Sequence, residues 1–218
     1  MFGKSILFSE MVPEPGWEGA FNDWYDGEHI PLRVAAPGFV SAQRYLGPER
    51  NYLAVYETQS LEAFKTPEYT AIKTQPSELT RRMLKDVSGF TRYLGNEISR
   101  VMRPGAEAID PPLLYAVWFN VPTDRLADFD AWYEQDHAPI LMKCAQWLGI
   151  RRFDIVDGDP VPFNRLAIHY LADRAALDSP ERAEARATPW RARIAAEPWF
   201  AGSYKVFERH GARQMHAK

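Results

Sequence analysis

The chain has 218 residues, 46% hydrophobic and 25% charged, with 26 basic and 29 acidic side chains and a formal net charge of −3. That is the composition of a folded globular protein of one large or two small domains, and it gives no basic face for nucleic acid or an anionic membrane. Apolar runs such as Pro112 to Val117 are too short to cross a bilayer, the N-terminus has no signal-type apolar stretch, and the single cysteine, Cys144, excludes an intrachain disulfide framework. The expectation is a cytoplasmic protein with Cys144 as a small core residue.

The elements are predicted in chain order from period and punctuation. Ile6 to Met11 is a short β-rich run, followed by an amphipathic helix from Gly16 to His29 that Pro31 should stop. Val40 to Leu46 and Tyr52 to Glu57 read as strands joined across Gly47-Pro48. Thr66-Pro67-Glu68 has the N-cap, N1-proline and early-acid order of a helix start, and Pro76 should break that helix in two. Gly89 precedes a last strand, Phe90 to Leu94.

The same order then recurs. Leu114 to Phe119 is a strand, and Thr123, a candidate N-cap, opens a helix to His137 before Pro139. Arg151 to Val156 and Arg165 to Tyr170 form a second hairpin across Gly158-Asp159-Pro160. Ser179-Pro180-Glu181 starts a helix that Pro189 breaks, and Gly202 precedes Ser203 to Phe207. Phe21-Asn-Asp-Trp-Tyr-Asp-Gly-Glu-His-Ile-Pro31 matches Phe129-Asp-Ala-Trp-Tyr-Glu-Gln-Asp-His-Ala-Pro139 at an offset of 108. Gly38 and Gly47 match Gly149 and Gly158 at 111, and Leu53-Ala54-Val55 matches Leu166-Ala167-Ile168 at 113. The chain is therefore read as an α+β fold of two tandem ferredoxin-like β-α-β-β-α-β repeats, residues 1–104 and 105–218. A bare sheet face on each repeat would be covered by the other, giving an intrachain pseudo-dimer and leaving open a further homodimer.

Residues four apart share a helix face, so Tyr25 lies with His29 and Tyr133 with His137, backed by Phe21 and Phe129 and flanked by Trp24 and Trp132. A phenol beside an imidazole is an acid–base pair: histidine shuttles a proton near neutral pH and tyrosine can hydrogen-bond a developing oxyanion. A histidine at a helix end can also simply cap the last carbonyls. The halves differ where His169 replaces Tyr56, Tyr170 replaces Glu57, and Arg151-Arg152 replaces Val40-Ser41. An arginine there could grip a carboxylate, so the second half is the expected working site.

The duplicated Phe-x-x-Trp-Tyr-x-x-x-His-x-Pro motif, between a first and a second strand in each half, resembles the EthD-like branch of the dimeric α+β-barrel superfamily. The resemblance implies a cavity between each sheet and its helices, faced by His29 and His137. It also implies small enzymes, mostly without cofactors, that isomerise, cyclise, decarboxylate or oxygenate aromatic and polyketide-like compounds; some branches bind haem.

The expected function is a cofactor-independent, decarboxylase-type lyase acting on a small carboxylated aromatic or polyketide-like compound. His137, His29, Tyr133, Tyr25 and His169 are the candidate catalytic residues, and Arg151, Arg152, Trp132, Trp24 and Tyr170 the candidate substrate-binding residues. The alternatives are an isomerase or cyclase, a haem- or oxygen-dependent enzyme, and a non-catalytic binder of apolar ligands. No metal site is expected, because His137 and His169 lack an evident carboxylate partner.

Overall fold

The structure, a computed structural model, describes residues 2–106, 110–160 and 163–217. Among the described residues there are eight strands: β1 (Ser5–Pro13), β2 (Phe39–Leu46), β3 (Tyr52–Thr58), β4 (Val87–Met102), β5 (Leu113–Phe119), β6 (Trp147–Asp159), β7 (Arg165–Leu171) and β8 (Ser203–Met215). The helices are α1 (Glu18–Trp24), α2 (Ile30–Val34), α3 (Pro67–Thr74), α4 (Glu78–Lys85), α5 (Leu126–Trp132), α6 (Ala138–Leu141), α7 (Pro180–Ala187) and α8 (Pro189–Ala195). Each half thus runs strand, helices, strand, strand, helices, strand. The hydrogen-bonded order β1-β3-β2-β8-β5-β7-β6-β4 closes into an antiparallel barrel.

The chain divides into two compact units. The first holds residues 2–96 with 156–160 and 210–217; the second holds 97–155 and 163–209. In the first, β1 lies between β3 and β4, and β2 pairs with β3. In the second, β5 lies between β7 and β8, and β6 pairs with β7. The last strand of each half is far longer than predicted, and it crosses from one unit into the other. The end of β8 therefore belongs to the first unit, where His216 N–H donates to Val40 O at 3.0 Å and Gln43 Nε2 donates to His210 O at 3.1 Å. The end of β4 belongs to the second, where Arg103 N–H donates to Leu148 O at 2.8 Å and Gly149 leaves room for Met102.

The helix starts follow the sequence at Thr66 and Ser179, and Thr188 caps α8 in the same way. Thr66, Ser179 and Thr188 accept, through their side chains, the backbone N–H three residues on, and Pro67, Pro180 and Pro189 fill the first turn. Thr123 does not cap: it lies inside a 3-10 turn, Thr123–Arg125, after Pro122.

The prolines of the repeated motif behave differently from expectation. Neither helix ends at its histidine; it widens into a π turn, Tyr25–His29 and Tyr133–His137, and continues as α2 and α6. Ile30 and Ala138 donate to Tyr25 O and Tyr133 O five residues back. A proline inside a helix lacks a donor and clashes with the carbonyl four residues back; the wider turn removes that carbonyl from its path.

Strand register corrects the alignment of the halves. Phe39 faces Thr58 and Trp147 faces Leu171, with a bulge following each. Ser41, Arg44 and Ala42 face Glu57, Ala54 and Tyr56, whereas Gly149, Arg152 and Ile150 face Tyr170, Ala167 and His169. The second strand of each half therefore keeps the offset of 108, and the five extra residues all lie in the β6–β7 connection. Arg152 is the counterpart of Arg44, and Gly149 that of Ser41, not of Gly38.

Each unit has its own core between sheet and helices, built on Phe21, Trp24 and Tyr56 in the first and Phe129, Trp132 and Trp147 in the second. Because the first unit includes the end of β8, a chain stopped after Arg209 loses the His210 and His216 contacts at once. Its first unit should melt earlier than in the full chain, measurable as a lowered Tm; an unchanged Tm would show that the strand end contributes nothing.

Candidate functional site

A cavity of about 300 Å3 lies in the second unit, lined among others by Tyr115, Trp132, Tyr133, His137, Trp147 and His169. The π turn places Tyr133 and His137 on its wall with ring centroids 5.1 Å apart, and Trp132 lies 4.7 Å from the imidazole. Strand alternation on β5 and β7 sends Tyr115, Val117 and His169 to the same side.

The hydrogen bonds fix the tautomers. Trp147 Nε1–H donates to His169 Nδ1 at 3.1 Å, and an indole nitrogen can only donate. His169 Nδ1 is therefore the acceptor, and Nε2 carries the proton it gives to Tyr133 Oη at 2.7 Å. With its oxygen accepting from His169, the Tyr133 hydroxyl is left to donate into the cavity. Burial, followed by the charges of His137, Arg182 and Arg152, holds His169 neutral with its pKa well below the usual value. Burial also raises Tyr133 well above an ordinary phenol, so it stays protonated.

His137 is assigned in the same way. Its Nδ1 lies 3.3 Å from Ala185 O, which can only accept, so Nδ1 holds the proton and Nε2 keeps a lone pair. Burial pushes its pKa down to about 4, against the smaller upward effect of the Ala185 carbonyl. The cavity thus carries a neutral imidazole acceptor and a phenol donor side by side, the second oriented by a relay from Trp147.

The first unit has a smaller cavity, about 200 Å3, lined by Tyr25, His29, Tyr56, Tyr69 and Lys73 among others. Here Tyr56 takes the place of His169, so no imidazole relay reaches the motif tyrosine. Among the described residues His29 Nδ1 has no hydrogen-bond partner. Burial, then Arg33 and Arg44, holds its pKa well below the usual value.

Of the residues expected at the site, His137, Tyr133, His169 and Trp132 meet in the larger cavity, and His29 and Tyr25 in the smaller. Four do not reach a cavity wall. Trp24 is buried in the first core with its indole N–H on Thr80 Oγ1. Arg151 pairs with Glu97 at 2.5 Å and donates to Tyr170 Oη at 3.3 Å, which takes both away from the cavity. Arg152 stacks 4.6 Å from the far face of the Tyr133 ring and pairs with Asp130 and Glu134. Arg44 repeats this arrangement, 4.5 Å from Tyr25 and bonded to Asn22 and Asp26.

The sequence reading missed Tyr115, Trp147, Arg182, Arg186 and Arg191, all of which line the larger cavity. Arg182 and Arg186 lie four apart on α7, a spacing that marks one helix face. Among the described residues no group of three or more His, Cys, Asp or Glu side chains is arranged to hold a metal ion, and no helix is long and apolar enough to cross a membrane.

No family model and no curated sequence matches the chain. Solved structures do. An anthrone oxidase-like protein superposes with a TM-score of 0.67 at 10% identity, over 99% of this chain and 94% of that one. A candidate monooxygenase from Fusobacterium nucleatum gives 0.61 at 10% identity, over 99% and 96%. A chlorite dismutase variant from Candidatus Nitrospira defluvii gives 0.58 at 7% identity, over 94% and 90%. These neighbours overturn the expected decarboxylase-type lyase: they are oxidase-like, monooxygenase and chlorite-dismutase proteins, and the arginines meant to anchor a carboxylate are committed to ion pairs away from the cavity.

Arg152→Met should cost about 1–3 kcal/mol, less than breaking a fully buried pair because Asp130 keeps Arg165 and Glu134 is half-exposed, read as a lower denaturation midpoint. His137 should stay neutral from pH 8 to pH 5 in an NMR titration and protonate near pH 4; titration near 6.5 would refute the assignment. Because His29, His137 and His169 are all depressed in the folded state, the unfolded chain takes up protons first as pH falls below about 6.5. Stability should decline from there towards pH 4, by about 2–4 °C in Tm per kcal/mol lost.

These likenesses establish the architecture: the chain has a closed, eight-stranded antiparallel barrel with helices, the fold of these neighbours.

Proposed function

We propose that the protein oxidises an electron-rich, hydroxylated aromatic compound with molecular oxygen in the cavity of its second unit. The observation that carries this reading is the pairing of a neutral His137, its Nε2 lone pair free, with a Tyr133 hydroxyl aimed into the same cavity by His169 and Trp147. The likeness to an anthrone oxidase-like protein and to a candidate monooxygenase supports the reaction class. The motif supports placing the chain in the EthD-like branch, with residues 1–104 and 105–218 as tandem ferredoxin-like repeats.

In this reading His137 Nε2 accepts a proton from an activated ring C–H, and the electron pair spreads onto the ring oxygen. Tyr133 Oη–H donates to that oxyanion, in a site where burial strengthens the bond. The carbanion then gives one electron to oxygen, the radical pair joins as a C–O bond, and the peroxide anion takes back the proton from His137 to become a hydroperoxide. Loss of water leaves a carbonyl, so a methylene and one O2 become a ketone and one water. A base whose conjugate acid lies near pH 4 is weak, so the substrate carbon must itself be acidic, as a methylene beside an aryl ketone is.

Haem was tested against the same residues. His137 offers a suitable nitrogen. However, a cavity of about 300 Å3 stands at the low end of the ~300–1,000 Å3 of small-molecule sites, and a porphyrin with its propionates exceeds it. In this reading the cavity is filled by the aromatic substrate, and no step is routed through haem.

The test is oxygen uptake with anthrone at pH 7. Uptake should require His137, with His137→Ala losing about 10²–10⁴-fold, and Tyr133→Phe losing about 10²–10³-fold. Added haemin should give no stoichiometric, histidine-ligated Soret band. Wild-type rates retained by a folded His137→Ala/Tyr133→Phe protein would end the proposal.

A further inference from the structure

We infer that the second-unit cavity is built for an anionic ligand, an aromatic ring bearing a carboxylate, with Arg182, Arg186 and Arg191 as the anion-binding group. The location rests on the reading above; the charge argument does not.

All three guanidinium groups line the cavity, two on α7 and one in the first turns of α8. Among the described residues none of the three has a carboxylate within ion-pair distance. Arg182 Nη1 donates to Leu177 O at 2.6 Å, and the Arg191 guanidinium stacks 4.6 Å from the Phe200 ring. The acids nearby are engaged elsewhere: Glu184 with Lys143, Asp128 with Arg193, and Asp136 with Thr188. Like charges four apart on a helix are destabilising, and here the pair is joined by a third. Such a cluster is stabilised when an anion fills it, and guanidinium presents the paired donors that a carboxylate accepts.

The first unit sharpens the point. At the offset of 113 that holds for the later elements, Arg182, Arg186 and Arg191 correspond to Tyr69, Lys73 and Glu78. Its cavity has the motif histidine and tyrosine but keeps only a lysine at these three positions; its other cations, Arg33 and Arg92, come from other elements, and Arg92 is paired with Asp157. The three-arginine cluster is therefore particular to the second half, and it lies on the helices rather than on the strand carrying Arg151 and Arg152.

Binding can be read without turnover. The full-length protein is titrated anaerobically with 2-naphthoate and with the near-isosteric, uncharged 2-naphthamide, following tryptophan fluorescence. The carboxylate should bind at least about tenfold more tightly, equivalent to about 1.4 kcal/mol. Its advantage should shrink with added salt and vanish in Arg186→Met/Arg191→Met. Equal affinities, or a preference untouched by salt and by the double variant, would overturn the inference. Should the variant fail to fold, the salt dependence of the wild-type preference decides alone. Arginine-dependent naphthoate binding without oxygen uptake from any hydroxylated aromatic would remove the oxidase reading and leave the anion site standing. Uptake from uncharged anthrone with equal naphthoate and naphthamide affinities would do the reverse.

Discussion

A buried guanidinium ties each motif helix to its sheet. Arg152 on β6 stacks on Tyr133 and reaches Asp130 and Glu134, and Arg44 on β2 does the same with Tyr25, Asn22 and Asp26. The charge cannot leave without abandoning its acids, so the helix is held at one rotation about its axis. That rotation decides which way the π turn faces, and so whether tyrosine and histidine meet over a cavity or point elsewhere. The arginine acts on the far side of the tyrosine ring, as a brace rather than as a ligand-binding group.

On this shared brace the units differ by few side chains. The exchange of Tyr56 for His169 changes what the motif tyrosine can do, because only the imidazole has both a nitrogen to receive the Trp147 proton and one to pass its own to Tyr133. The Ala185 carbonyl in the second unit gives His137 Nδ1 an acceptor, whereas among the described residues His29 Nδ1 has no partner. The histidines are thus the same in sequence and different in chemistry: one is fixed as a lone-pair acceptor, and the other has no bond to fix it.

Much of this was legible in the sequence because it depends on local rules. Thr66-Pro67 and Ser179-Pro180 announced helix starts, and Pro76 and Pro189 announced breaks. The pairing of Tyr133 with His137 followed from helix spacing, and His169 stood out by replacing Tyr56. What failed depended on distant partners. Pro31 and Pro139 read as stops because a π turn leaves no mark distinct from an α turn. Gly38 and Gly149 invited an alignment that only the pairing of β6 with β7 could refute. That alignment made Arg151-Arg152 look like an addition, when Arg152 simply repeats Arg44. The real additions, Arg182 and Arg186, stood in plain helical register but outside the repeated motif.

The long β4 and β8 strands carry a consequence for how the chain comes to be folded. A unit whose edge is supplied by residues 210–217 cannot be complete until those residues exist. The first half, although synthesised first, must wait for them, and the order of assembly cannot follow the order of translation. Such pairings join residues some 170 positions apart, as Gln43 and His210 do, and long loop closures of this kind slow folding. A protein made this way spends its nascent life with an open sheet edge, and its dependence on chaperones should be set by that interval rather than by its final stability.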